Sequence, residues 1–434
     1  MNRLSGRRRG HQVSERYPPI DDFTTDFGGL RHAVPWAVHR MPAAFPAALL
    51  GSGRPLTLRG AGHSCDGQTV TDGELLVTYA PDTAVAQVRN LRDGLIEVPA
   101  GISWYGLERY LSRHGRAVPV LTDYLHTSVG GTLSVGGVGI DSVRYGMQVD
   151  NVERIQLIDG TGTSRWCSRA DHPELFRFAL GGLGTVGLIE RAVLRTVPIC
   201  RDTHVHRTHH ATLTELAEHT ERIAQHDDVD IYSAFVRRGR ISSITGWRGN
   251  GLRRCREENC RIVSDRPFMG AGRARKKNAQ FSDQVQLWTD YIVPARQLAS
   301  MLATVEVLRH RAPLNNVLTM LYILIVRRPP DATSFAFAPA GNAPVSIGLG
   351  VYTSIERDAA TTTAAIRRLF RDLLERCCEL GGRPYLYGVN DLDGSLARQL
   401  YGTDLYRLGE LRSAHQLEHV NAHLPIARAA LPRW

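Results

Sequence analysis

Five glycines fall within the ten residues from Gly130 to Gly139, and they set the tightest limit on what this chain can fold into. They stand in Leu121 to Gly139, L-T-D-Y-L-H-T-S-V-G-G-T-L-S-V-G-G-V-G, at positions 130, 131, 136, 137 and 139. Each glycine in a helix interior costs about 1 kcal/mol relative to alanine, so the spacing predicts an irregular backbone here and not a helix. A chain without Cβ atoms can lie directly against a ligand. Two further blocks are built the same way: Arg59 to Gln68, R-G-A-G-H-S-C-D-G-Q, and Gly181 to Arg191, G-G-L-G-T-V-G-L-I-E-R.

The block at Arg59 adds chemistry to permissive backbone. Gly60, Gly62 and Gly67 let the main chain approach a bulky anionic ligand. Ser64 and Gln68 add side-chain donors, and His63 offers a nucleophilic ring nitrogen at which a cofactor could be held or bonded. The combination points to a flavin site. The same ten residues also fit a plain hairpin whose glycines serve turn geometry and whose histidine faces water.

At 434 residues the chain exceeds one ordinary core, and two domains of roughly 200 residues each are expected. Hydrophobic content of 43% with 22% charged residues describes a soluble globular protein. Lys and Arg number 53 against 43 Asp and Glu, a net charge of +10 that would attract an anionic partner. The excess collects at Arg7 to Arg9, Arg237 to Arg240 and Arg273 to Lys277, with no interleaved aromatics of the kind a single-strand groove needs. Nucleic acid is therefore not an expected partner. No apolar run approaches the roughly 20 residues that span a bilayer, and Val317 to Val326 suits a buried strand. The basic N-terminus lacks the apolar stretch of a secretory signal, so a cytoplasmic location without membrane attachment is expected. Of seven cysteines, Cys255 and Cys260 are separated by four residues and Cys377 and Cys378 are adjacent. No second pair stands at zinc-ligand spacing, so free thiols and no metal are expected.

Pattern places strands at Pro55 to Leu58, Leu75 to Tyr79, Ile96 to Val98 and Val152 to Asp159. Trp104, Leu107 and Leu111 predict a helix over Ser103 to His114 that stops at Gly115, and Pro173 to Ala179 reads as a short helix. No amphipathic helix follows the first glycine block, which separates it from a Rossmann start. The composition changes around Pro198. Helices at Leu213 to His226 and Ala359 to Leu380 then alternate with strands at Asp230 to Val236 and Ser346 to Tyr352, an α+β pattern with helices on one face of a sheet.

Taken in order, R-G-A-G-H-S-C-D-G-Q, T-D-Y-L-H-T-S-V-G-G-T-L-S and L-G-G-L-G-T-V-G-L-I-E-R resemble the FAD-linked oxidases of the vanillyl-alcohol oxidase type, most closely the cytokinin dehydrogenases. D-F-G-G at Asp26 to Gly29 matches as well, and the resemblance covers roughly residues 20 to 200. It implies an α+β fold with a two-subdomain PCMH-type FAD-binding domain, residues 1 to 200 completed by a C-terminal return over 385 to 434. An α+β substrate domain, a sheet flanked by helices, would occupy 201 to 384. By similarity His63 carries the 8α-methyl of FAD in a covalent link, which fixes the ring system and raises its potential. Gly60, Ala61, Gly62, Ser64 and Gln68 would contact the pyrophosphate, and Ser128, Ser134, Val138 and Ile189 would line the cofactor. Tyr385 and the region of Asn421 match the returning segment, although Asn421, Ala422 and His423 replace the family's proline-glycine ending.

Asp123 matches the family's catalytic acid, a hydrogen-bond acceptor and base for the amine beside the oxidised carbon. A turn cap is the alternative role for an aspartate in Thr-Asp-Tyr. On the substrate side the family's glutamate is missing, since Tyr232, Ser233, Ala234 and Phe235 occupy that stretch. Trp288 to Arg296, W-T-D-Y-I-V-P-A-R, is similar instead to a strand turn of sugar-acid lactone and alditol oxidases, which makes Tyr291 and Arg296 pocket candidates; Arg296 could equally be a surface charge. The resemblance implies an FAD-dependent oxidase or dehydrogenase acting on C–N or C–O bonds. Its partners would be a small-molecule substrate, an amine first, and an electron acceptor, oxygen or quinone-like. An alcohol or polyol oxidase and a flavin-bearing protein without redox turnover are the alternatives.

Overall fold

The computed structural model describes residues 23–41, 47–79, 87–200, 202–249, 260–264 and 284–430. Arg7 to Arg9, Cys255 and Arg273 to Lys277 lie outside the described residues. The fold is mixed α+β with several sheets. No described helix is long and apolar enough to cross a membrane.

Two of the sheets are built from the first half of the chain. Leu75–Tyr79 is the central strand of a parallel three-stranded sheet, between Ala37–Met41 and Leu56–Arg59. Parallel neighbours need a crossover, commonly a helix. Here residues 60–74 make it as a loop, leaving its backbone free to find partners elsewhere. The five-stranded antiparallel sheet runs Arg89–Asn90, Leu95–Pro99, Leu188–Arg195, Val152–Ile158 and Ser164–Ser168. The helix Trp104–Arg113 buries Trp104, Leu107 and Leu111 and starts at Ser103, whose hydroxyl accepts from Gly106 N at 3.1 Å.

The glycine-dense stretch corrects one expectation. Val129–Leu133 is a short helix through Gly130 and Gly131. Packing outweighs propensity here, because a Cβ at Gly130 would sit 2.7 Å from Ala100 Cβ and one at Gly131 2.8 Å from Ser128 Oγ. Beyond it the backbone is irregular as expected, with Gly136 at φ +113°.

The third sheet has eight antiparallel strands in the order Cys260–Ser264, Asp202–His210, Arg240–Arg248, Ile231–Arg237, Leu318–Arg327, Val345–Thr353, Trp288–Pro294 and Arg383–Pro384. Leu213–Gln225 and Ala360–Glu379 pack on one face, where the Tyr232 hydroxyl meets Thr220 Oγ1 at 2.6 Å and the Tyr291 hydroxyl donates to Phe370 O at 2.8 Å. Strand side chains alternate, so Ser233, Phe235 and Asp290 come to the other face.

The C-terminal segment packs back on the first half. Asn421 N donates to Leu56 O at 2.9 Å, its Oδ1 accepts from Leu58 N at 2.8 Å and its Nδ2 donates to Leu183 O at 2.8 Å. At φ +49° it holds a left-handed conformation that asparagine tolerates better than most residues. Buried Arg412 adds bonds to Thr185 O at 2.7 Å and Val420 O at 3.0 Å. Asn421→Ala leaves two part-buried backbone groups without their partner, and at up to about 1–3 kcal/mol for each unsatisfied group the variant unfolds at lower temperature in thermal denaturation.

Candidate functional site

The two glycine-lined loops and the open face of the eight-stranded sheet enclose a cavity of about 1430 Å³. All the residues singled out for cofactor and catalysis line it: Gly60, Ala61, Gly62, His63, Ser64, Gln68, Asp123, Ser128, Ser134, Val138, Ile189 and Tyr385. They converge from five separate stretches of chain.

The first loop is shaped by the D-F-G-G turn. The Asp26 carboxylate accepts from Leu30 N and Gly67 N, both at 2.9 Å, and Phe27 N donates to Ser64 O at 3.1 Å. Burial pushes the Asp26 acid up to about 6 despite these bonds. The Phe27 ring lies 3.9 Å from the His63 ring, and Tyr124 stacks on His63 at 4.5 Å with 7° between planes. Gly62 supplies a φ of +73° beside the histidine. Burial pulls the His63 imidazole down to about 4, so it is neutral at physiological pH, and its Nδ1 is buried without a hydrogen-bond partner. A neutral imidazole with an unpartnered nitrogen is a competent nucleophile.

Other predicted residues are already committed to the protein. Gln68 Nε2 donates to Leu386 O at 3.0 Å and Gly388 O at 2.9 Å, and its Oε1 accepts from Asp66 N at 2.9 Å. It therefore braces the loop against the C-terminal segment while lining the cavity. Ser128 Oγ accepts from Gly131 N at 3.3 Å and Ser134 Oγ donates to Gly130 O at 2.8 Å, so both shape the second loop. A Cβ on Gly60 would run into Ser128 Oγ, which is how the two loops close on each other. Gly137 N donates to the Tyr385 hydroxyl at 3.1 Å. Cys65, two residues after His63, is fully buried, and burial holds its thiol well above the ordinary value.

The substrate side of the cavity differs from expectation. Tyr291 is fully buried on the helix face and Arg296 is exposed in the turn Ala295–Gln297; neither lines the cavity. Their neighbours Trp288, Asp290 and Ile292 do. The period-2 alternation of a strand carries this signal, since choosing Tyr291 fixes Asp290 to the opposite face. Tyr387 donates to Asp290 Oδ2 at 2.7 Å and Tyr352 to Oδ1 at 3.0 Å. Burial nevertheless lifts the Asp290 acid to about 6, and the charge of Asp123 adds to the rise. Asp123 itself is exposed to the cavity, near enough to the sheet for its charge to raise Asp290 and Tyr322 alike. Phe235 stacks on Tyr322 at 4.9 Å, and Trp288 on Tyr352 at 4.9 Å, giving an aromatic floor between the acids.

A long cavity bordered by Cβ-free backbone at one end, with an unpartnered neutral histidine, fits the dimensions and chemistry of a flavin dinucleotide. Residues 47–168 match the family model described as an FAD binding domain. The chain is 39% identical over 175 residues to an uncharacterized oxidoreductase in the fasciation locus of Rhodococcoides fascians, with 39% of each chain covered. It is 34% identical over 206 residues to cytokinin dehydrogenase 4 of Oryza sativa subsp. japonica, covering 46% of this chain and 39% of the relative. Cytokinin dehydrogenase 5 of the same plant is 33% identical over 230 residues, covering 49% and 43%. The matched stretch spans about two fifths of the length of these relatives. The chain thus carries a PCMH-type FAD binding domain and is a distant homologue of the cytokinin dehydrogenases.

Proposed function

We propose that this protein is an FAD-dependent oxidoreductase that oxidises a carbon next to nitrogen in a small-molecule amine. The observation that carries the reading is the placement of Asp123 on the same cavity as the glycine loops and the neutral His63. In this reading residues 1 to 200 and 385 to 434 hold the cofactor, and 201 to 384 form the substrate side. Bound FAD supplies the hydride acceptor. His63 holds the ring system through its imidazole, and Gly60, Ala61, Gly62 and Ser64 present backbone to the pyrophosphate. Asp123 accepts a hydrogen bond from the substrate amine, orients it and takes its proton as the hydride departs. Tyr387 and Tyr352 hold Asp290 on the same cavity, where it adds a second carboxylate for a cationic amine. The reoxidant is oxygen or a quinone-like acceptor, and the site of action the cytoplasm.

Asp290 also favours a second reading, oxidation of an alcohol or polyol, because a carboxyl poised near 6 can bind hydroxyls as well as an ammonium. Anaerobic reduction of the bound flavin with isoprenoid amines, simple amines and polyols separates the two. Bleaching by amines supports the proposal, bleaching by alcohols alone the second reading, and bleaching by no donor a protein without redox turnover.

Three outcomes are expected. Flavin colour stays with acid-precipitated wild-type protein and moves to the supernatant for His63→Ala; colour lost from the wild type removes the covalent link and leaves the fold intact. Asp123→Asn slows anaerobic flavin reduction by about 10²- to 10⁴-fold in stopped flow, the range for a lost general base. Asp290 ionises as pH rises through about 6 and places a second negative charge in the cavity, so KM for a cationic amine falls across that interval. In Asp290→Asn this step in the pH profile disappears.

A further inference from the structure

The charge excess at Arg237 to Arg240 has no part in the chemistry above, yet it lies on the same cavity. Arg207, Arg237, Arg238 and Arg240 all line it, and all four are exposed. Among the described residues none of the four makes an ion pair or a side-chain hydrogen bond. Arg248, further along the same strand, instead pairs with buried Asp141. Arg328 and Arg367 are paired in the same way, Arg328 with Asp150 at 2.8 Å and Arg367 with Asp66 at 2.9 Å. The guanidiniums of Arg237, Arg238 and Arg240 lie together at the hairpin and repel one another, and the repulsion is relieved when an anion arrives.

The hairpin makes this group rigid. Ile231–Arg237 and Arg240–Arg248 are joined by Arg238 and Gly239 alone, at φ +50° and +73°, the signs of the tight type I′ turn. Arg237 is paired across the ladder with Arg240, and Arg207 stands opposite Ile244 on the adjoining strand. The distance to Asp290 follows from the ladder. Asp290, Gly350, Tyr322 and Phe235 occupy one cross-strand row. Strand spacing puts Phe235 about 14 Å from Asp290, and Arg237 lies about 7 Å further along its own strand. The aromatic floor fills the space between.

We propose that Arg237, Arg238 and Arg240 recognise a phosphate or similar oxyanion carried by the substrate at the end remote from the carbon that is oxidised. The substrate class is then an amine with an apolar or aromatic middle and an anionic tail, of which a nucleoside monophosphate with an alkylated amine is one example. Guanidiniums suit this role because their planar forks bind oxyanions bidentately. The inference rests on the oxidoreductase reading for what happens at the other end, but the anion site itself can be tested without turnover.

The test is calorimetric binding to dithionite-reduced, anaerobic holoenzyme, which cannot oxidise its ligand, using N6-isopentenyladenosine and its 5′-monophosphate as a matched pair. The monophosphate is expected to bind at least about tenfold more tightly, as charge-assisted hydrogen bonds require, with the preference shrinking at high salt. Arg237→Gln/Arg240→Gln is expected to abolish that preference while flavin content and thermal unfolding stay at wild-type values. Equal affinities, no binding of the monophosphate, or a preference that survives in the double variant overturns the proposal. Flavin lost from the double variant overturns it too, by assigning the arginines to the cofactor's own phosphates. An arginine-dependent phosphate preference in a holoenzyme whose flavin no donor bleaches would sink the redox reading and leave the anion site standing.

Discussion

Residues 385–388 are the tie on which the site depends. Tyr385 N donates to Asp290 O at 2.8 Å and the Tyr385 hydroxyl accepts from Gly137 N, joining the eight-stranded sheet to the second glycine loop. Leu386 and Gly388 present carbonyls to Gln68, and Tyr387 O accepts from Cys65 N at 2.9 Å, so the first loop hangs from the same four residues. The Tyr387 hydroxyl then reaches Asp290. A glycine loop has little conformational preference of its own, and its shape must be imposed by partners. Here the partners come from more than 300 positions away in sequence.

Burial and partnership are balanced differently at each ionisable group around the cavity. Asp26 and Asp290 receive hydrogen bonds yet are raised, because desolvation exceeds what those donors return. His63 has neither charge partner nor hydrogen bond at Nδ1 and is driven to its neutral form. The arginines of the hairpin remain in contact with solvent on the same cavity.

Local elements were legible wherever a short-range rule acts. Ser103 and Gly115 bound the helix Trp104–Arg113, and Pro173–Ala179 has the limits its proline sets. The strand Leu75–Tyr79 agrees residue for residue. The helix at Val129–Leu133 escaped notice because propensity weighs glycine against helix, while the close approach to Ala100 demands glycine whatever the backbone does. Asp290 escaped for a related reason. Its strand was recognised, but which face of a strand meets the cavity depends on what packs against the other face, and Ala360–Glu379 lies far along the chain.

The amino-acid sequence by itself determined the FAD-binding character and the residues that gather around one cavity, because glycine-rich backbone, a histidine and a carboxylate at set spacing are features written in residue types. Tertiary structure alone decided that Gln68 ties the first loop to Leu386 and Gly388, that Asp290 shares a cavity with Asp123 and that Arg237 and Arg240 pair across a hairpin on that cavity. Each of these facts is a relation between strands or loops distant in sequence. Such relations are set by sheet register and by which face is buried, and no local pattern encodes them.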